Sequence, residues 1–214
     1  MIKACIFDLD GVIVDTARYH YLAWKRLAEE FDYDLTPEDN ERLKGVSRMD
    51  SLEVVLELSG ARVSEHEKVQ LANKKNAWFR DFIERMIPEE IFPGVRPLIQ
   101  EMKAAGLKIA LASSSKNAET VIELLGIRSA FDVIVDGTMI AKSKPDPEIF
   151  LLTAQKLNIP PEACVVFEDA EAGVDAALAA GMKCVGVGDP RLLGHAHKVV
   201  SRTSDFIIDD LAKL

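Results

Sequence analysis

Positive charge is in deficit in this 214-residue chain, which carries 26 lysines and arginines against 35 aspartates and glutamates. Nucleic-acid binding rests on cationic neutralisation of phosphates, so nucleic acid is not an expected partner. A small anionic substrate remains compatible, because a few local basic residues can override a global field. Long apolar runs are also missing: no stretch approaches the roughly 18 residues a membrane span needs, so no membrane partner is expected. Asp8 and Asp10 interrupt the apolar beginning, which therefore does not read as a secretory signal. Cysteine is sparse. Cys5, Cys164 and Cys184 each sit in a short apolar run, and their odd number suits small core residues in a reducing cytosol rather than a disulfide framework. The expectation is a cytoplasmic protein, and the net charge of −9 with no evident apolar surface patch favours a monomer.

The chain is rich in short apolar runs alternating with helical patterns. Ile2–Phe7, Leu107–Ala112, Phe131–Val135, Cys164–Phe167 and Lys183–Val187 read as strands. Most lack period-2 alternation, so both faces are expected to be buried, as in a parallel sheet. Between them, Val95, Leu98, Ile99 and Met102 fall at helical spacing, as do Val121, Leu124 and Leu125. Gly106, Gly126 and Gly181 stand where helices should close, and Pro147 where one should start. This order predicts an α/β fold with a doubly wound, mostly parallel sheet.

One interval breaks the rhythm. From Gly11 to Ala105 no convincing strand occurs, although a βαβ unit needs only about 30 residues. Tyr19–Phe31, Ser51–Ser59 and Glu65–Met86 carry helical patterns instead. A helical domain inserted after the first strand is the simplest account, with residues 16–87 as a cap, residues 1–15 and 88–214 as the core, and the chain rejoining the core near Ile91–Gly94.

Ligands of open α/β sheets sit at the carboxyl ends of the strands. The first strand delivers Asp8 and Asp10 there, and the second delivers Ser113, Ser114 and Ser115, then Lys116 and Asn117. Later segments deliver Lys144, then Glu168 and Asp169. Four converging carboxylates would repel without a cation, and hard oxygen ligands suit Mg²⁺. Lys144, the serines and backbone N–H groups offer donors to an anion. Gly11 would let the backbone turn tightly beside them. The set fits phosphoryl transfer, in which a carboxylate can itself be the nucleophile. Each residue also has a plainer use: serines cap helices, and acids favour helix N-termini.

Asp8-Leu-Asp-Gly11, Ser113, Lys144-Pro145 and Glu168-Asp169 match, in order, the four motifs of the haloacid dehalogenase superfamily, which the whole chain resembles. The resemblance implies that Asp8 is phosphorylated and that Asp10 is the general acid/base with its carbonyl on the metal. It further implies that Ser113 and Lys144 hold the transferring phosphate, and that Glu168 and Asp169 complete a Mg²⁺ site with Asp8 and Asp10. The Lys144–Pro145 bond can adopt either isomer at modest cost.

The superfamily contains phosphatases and a few phosphomutases. A mutase must keep water out and needs a second phosphate site, because its bisphosphate intermediate carries two phosphates. The stretches DTARYHYLAWKRLAEE, LKGVSRMDSL and SSSKN resemble the β-phosphoglucomutase branch. That likeness implies a small phosphosugar substrate and glucose 1,6-bisphosphate as activator and intermediate. It puts Thr16 and His20 on the positioning of Asp10, and Lys44, Gly45 and Arg48 at the closed site, with Arg48 on the phosphate that is not transferred. Ser115, Lys116 and Asn117 would share that phosphate, and Trp24 and Lys75 would contribute to the sugar pocket. Ser114 stands where many members have alanine, which implies a role for its backbone N–H. Trp24 serves equally well as ordinary cap core. A sugar-phosphate or phosphoglycolate-type phosphatase is the alternative.

Overall fold

A computed structural model describes residues 1–43 and 46–214; Lys44 and Gly45 lie outside the described residues. Six parallel strands form one sheet in the order β3-β2-β1-β4-β5-β6. They are β1 (Ala4–Phe7), β2 (Lys108–Ala112), β3 (Val133–Val135), β4 (Cys164–Glu168), β5 (Lys183–Val187) and β6 (Lys198–Val200). The first strand lies at the centre, with Phe7 in register with Leu111 on one side and Phe167 on the other. Its side chains alternate between two apolar cores: Cys5 and Phe7 enter one, Ala4 and Ile6 the other. Apolar residues are therefore needed at every position, which explains the missing period-2 pattern.

Helices cover both faces. α5 (Val95–Ala104) and α6 (Ala118–Leu124) pack on the Phe7 side, while α7 (Glu148–Leu157) and α8 (Glu171–Ala179) pack on the Ile6 side. The chain leaves α5, α6 and α8 through Gly106, Gly126 and Gly181 at positive φ, as their positions predict. Pro147 is the cap of α7 rather than its first residue. The short α9 (Pro190–Leu193) leads to β6, which sequence reasoning missed; with three residues it shows no pattern long enough to detect. The three cysteines are free and buried, and burial pushes the Cys5 thiol up to about 12.

Between β1 and α5 come only helices and short turns: α1 (Ala17–Ala28), α2 (Pro37–Glu41), α3 (Arg48–Ser59) and α4 (Glu65–Ile83). Ser47 and Ser64 cap α3 and α4 by accepting the Asp50 and Glu67 N–H groups, so α3 starts three residues earlier than the sequence pattern suggests. Trp24, Leu27, Leu35, Leu52, Val55 and Ala72 give these helices an apolar core of their own. The outgoing and returning passages of the chain run side by side. Val14 bridges to Ile91, and the Phe92 N–H donates to the Ile13 carbonyl at 2.9 Å. Glu90 accepts from the Arg18 guanidinium and from the Tyr19 hydroxyl at this crossing. Among the described residues, no helix is long and apolar enough to cross a membrane.

Candidate active site

The sheet ladder continues one residue beyond the strands and fixes the first groups of the site. The Asp8 N–H donates to the Phe167 carbonyl at 3.0 Å, and the Ser113 N–H to the Val135 carbonyl at 3.1 Å. Asp8 is thereby held at the carboxyl end of β1, beside the last residue of β4, Glu168. Lys144 enters from the loop before α7 and is joined to Pro145 by a cis peptide. Its Nζ donates to Asp8 Oδ1 and to Glu168 Oε1, both at 2.5 Å. All three side chains are almost completely buried.

One cation thus serves two carboxylates. Burial pushes the Asp8 carboxyl up to about 6, a rise that Lys144 opposes and Glu168 reinforces. Against the pull of burial, the same two acids hold the Lys144 ammonium above its ordinary value. Asp10 lies deeper in negative charge. Burial and then the Asp8 charge push it up to about 8, and its Oδ1 is buried with no hydrogen-bond partner.

Two glycines make room for the acids. Gly11 has φ +74°, and a Cβ there would lie 2.0 Å from Asp169 Oδ2, so only glycine fits between the first turn and that carboxylate. Gly173 lets α8 pass over Glu168, since a Cβ would lie 1.9 Å from the Glu168 carboxyl carbon. Glu168 Oε2 also accepts the Ala170 N–H at 3.0 Å.

The donor set fits a hard dication. It offers only oxygens, carries more negative charge than Lys144 cancels, and leaves Asp10 Oδ1 unpartnered. Among the described residues, no three His, Cys, Asp or Glu side chains close on a common point.

The helical insertion supplies the opposite wall. One cleft is lined by Asp8, Asp10, Ser113, Ser114, Ser115, Lys116, Asn117 and Asp169 from the sheet side, and by His20, Trp24, Arg48 and Lys75 from the helices. Thr16 lies outside that lining, buried at the start of α1, where its carbonyl accepts the Tyr19 and His20 N–H groups. Lys144 and Glu168 stand behind Asp8, and Lys44 and Gly45, expected at this site, lie outside the described residues. Sequence reasoning missed Ala17, Asn40, Leu43, Val46 and Ser51 in the lining. Ser51 was detectable, since it follows Arg48 by three residues on the same helical face.

The cationic groups of this wall are unusual. Lys75 is buried, its Nζ lies 2.7 Å from His20 Nδ1, and it sits 4.5 Å from the centre of the Trp24 ring. Burial, then Arg48, push the Lys75 amine well below its ordinary value, and burial, then Lys75 and Arg48, do the same to His20. The His20 ring stacks on Phe79 with centroids 3.9 Å apart. Arg48 is half-buried, and among the described residues no carboxylate pairs with it. A half-buried guanidinium that lines a cleft and is paired with no described acid could hold an anion.

Comparison with known proteins agrees with this geometry. The family model for haloacid dehalogenase-like hydrolases matches residues 2–181. A β-phosphoglucomutase of Bacillus subtilis is 46% identical over 209 residues, covering 97% of this chain and 92% of that protein. A phosphorylated carbohydrates phosphatase of Thermotoga maritima is 35% identical, covering 85% of this chain and 82% of its own length. The crystal structure of a β-phosphoglucomutase from Clostridium difficile superposes with a TM-score of 0.96 at 44% identity, covering 100% of this chain and 96% of that one.

Proposed function

We propose, for a chain that belongs to the haloacid dehalogenase-like hydrolase family, that it is a Mg²⁺-dependent β-phosphoglucomutase. It interconverts β-D-glucose 1-phosphate and β-D-glucose 6-phosphate through an aspartyl-phosphate and β-glucose 1,6-bisphosphate. The observation that carries the mutase reading is Arg48, a half-buried cation with no acid partner among the described residues, in the same cleft as Asp8. It supplies a second phosphate site, which a mutase requires and a monophosphatase does not.

Residues 1–15 and 88–214 form the catalytic core and 16–87 the cap. Asp8, the Asp10 backbone carbonyl, Glu168 and Asp169 would hold Mg²⁺, with Glu168 also anchoring Lys144; the bound ion would neutralise phosphate charge and orient the transferring group. Phospho-Asp8 passes its phosphoryl group to the free sugar hydroxyl: the new O–P bond forms, the acyl O–P bond breaks, and Asp10 takes the hydroxyl proton. The bisphosphate then turns around. Its other phosphate bonds to Asp8 Oδ as the sugar O–P bond breaks, and Asp10 returns the proton to the leaving sugar oxygen. Burial and the Asp8 charge raise Asp10 to about 8 in the metal-free protein, toward the range in which a carboxyl group can both take and return a proton near neutral pH. Lys144 and Ser113 hold the transferring phosphate. Arg48, Ser115, Lys116 and Asn117 hold the other, together with Lys44 and Gly45. Thr16 and His20 position Asp10, and Trp24 and Lys75 face the sugar. The Ser114 backbone contributes to the phosphate loop.

We place the enzyme in the cytoplasm as a monomer, with its buried thiols and net charge of −9 in support. A coupled assay of β-glucose 1-phosphate with Mg²⁺, with and without glucose 1,6-bisphosphate, tests the reading. Glucose 6-phosphate dependent on the bisphosphate is expected, and free phosphate as the main product would sink it. That second outcome would support a phosphatase, a reading favoured by the Thermotoga maritima relative.

A further inference from the structure

Besides the Glu90 contacts at the crossing, two side-chain hydrogen bonds among the described residues tie the helical insertion to the core, and three of their four residues, Ser143, Asp50 and Asn76, have no part in the chemistry above. The Ser143 hydroxyl donates to Asp50 Oδ2 at 2.5 Å, across 93 positions of sequence. The Asn117 amide donates to Asn76 Oδ1 at 2.9 Å. Each bond sits beside a residue that handles phosphate. Asp50 lies on the first turn of α3, two residues from Arg48, while Ser143 directly precedes Lys144. Asn76 follows Lys75, and its partner Asn117 lines the cleft. Asp50 is prepared for the bond, because the Ser47 hydroxyl donates to the same Oδ2 at 2.6 Å and the Asp50 N–H returns a bond to Ser47 at 3.2 Å. The carboxylate is therefore aimed before the core arrives, which lowers the ordering cost of the contact.

We infer that Ser143 and Asn76 are positioning residues that strut the cap against the core, fixing the spacing between the Arg48 and Lys144 phosphate sites and thereby deciding whether phospho-Asp8 gives its phosphoryl group to a sugar hydroxyl or to water. The inference rests on the mutase reading for its catalytic consequence. The path Arg48–Met49–Asp50···Ser143–Lys144 links the two cations through a single hydrogen bond. Removing a hydrogen bond from a closed state that competes with an open one shifts the balance by several-fold, more for the charge-assisted Ser143–Asp50 bond than for the neutral Asn117–Asn76 one. An opened cleft admits water to Asp8 while leaving every reacting group in place. The plainer view, that these are incidental surface contacts, predicts no effect on product partition.

The test uses the full chain with Mg²⁺ and glucose 1,6-bisphosphate, comparing wild type with Ser143→Ala, Ser143→Thr, Asn76→Ala and the Ser143→Ala/Asn76→Ala double variant. Phosphate released per sugar transfer should rise several-fold in each alanine variant and about tenfold or more in the double variant. Ser143→Thr, which keeps the hydroxyl, should stay near wild type, and thermal midpoints should be unchanged. Small-angle scattering of the ligand-free proteins should give a larger radius of gyration for the double variant. An unchanged partition in the double variant of an active mutase overturns the inference. If wild type transfers nothing to sugar, the mutase reading fails separately. The scattering arm then decides the strut alone: an unchanged radius overturns it, and an increase supports it.

Discussion

The two walls of the cleft handle charge in opposite ways. On the core side, charge is concentrated around one buried, paired cluster: Lys144 lies 2.5 Å from the carboxylates of Asp8 and Glu168, with the partly buried Asp10 and Asp169 nearby. On the helical side the ionisable groups are spread over three helices. Lys75 and His20 are driven toward their neutral forms, and Arg48 has no acid partner among the described residues. A buried ion set is poor at choosing ligands because its charges are already committed. A half-buried cation without a partner is the reverse, since its desolvation is recovered only when an anion arrives. On the proposed reading, chemistry belongs to the core, and recognition of the second phosphate to the helices.

That division can be broken most severely at Asp8. Asp8→Asn should lower sugar phosphate turnover by at least about 10⁴-fold, as loss of a nucleophile does. Binding of beryllofluoride with Mg²⁺, followed by fluorine NMR, should disappear with it. Arg48→Ala should separate the walls: isomerisation should fall roughly 10²-fold through lost charged hydrogen bonds, while hydrolysis of a small aryl phosphate stays within a few-fold of wild type. Equal losses in the two assays would contradict the division.

A titration sharpens it further. Asp8 and Asp10 rise from an ordinary 3.8 to about 6 and about 8 on folding, so the folded metal-free protein holds protons that the unfolded chain has released. Their contribution to stability is complete below pH 4 and is lost as pH rises through 6 and 8. The thermal midpoint of the metal-free protein should therefore fall by roughly 5–10 °C between pH 5.5 and 8.5. Millimolar Mg²⁺ should recover most of that loss at the upper end, because it binds only the folded, deprotonated site. The smallest effect is expected at Trp24. Trp24→Phe keeps an aromatic face under Lys75 and should cost about 1–2 kcal/mol in denaturant unfolding, with the pH profile unmoved.

The core was far more legible than the helical wall. Asp8, Asp10, Ser113, Glu168 and Asp169 follow apolar runs, and a parallel sheet brings strand ends together whatever the helices do. The sixth strand escaped because three residues carry no period, and α3 began early because Ser47 caps it before its apolar pattern starts. Gly173 gave no warning: its need arises from Glu168, five residues earlier in sequence but folded beneath α8. Ser143, Asp50 and Asn76 were invisible for another reason. Their contacts exist only once two separately packed units meet, and no spacing along the chain encodes that meeting.

The bridge from Val14 to Ile91 reaches past catalysis. Because the two passages touch there, the core experiences the whole intervening segment as a loop whose ends are already joined. Lengthening or exchanging such a segment costs the core little closure entropy. The fold can therefore host different lids on one unchanged catalytic floor, and new substrate preferences can arise by replacing a module without retuning the carboxylates beneath it.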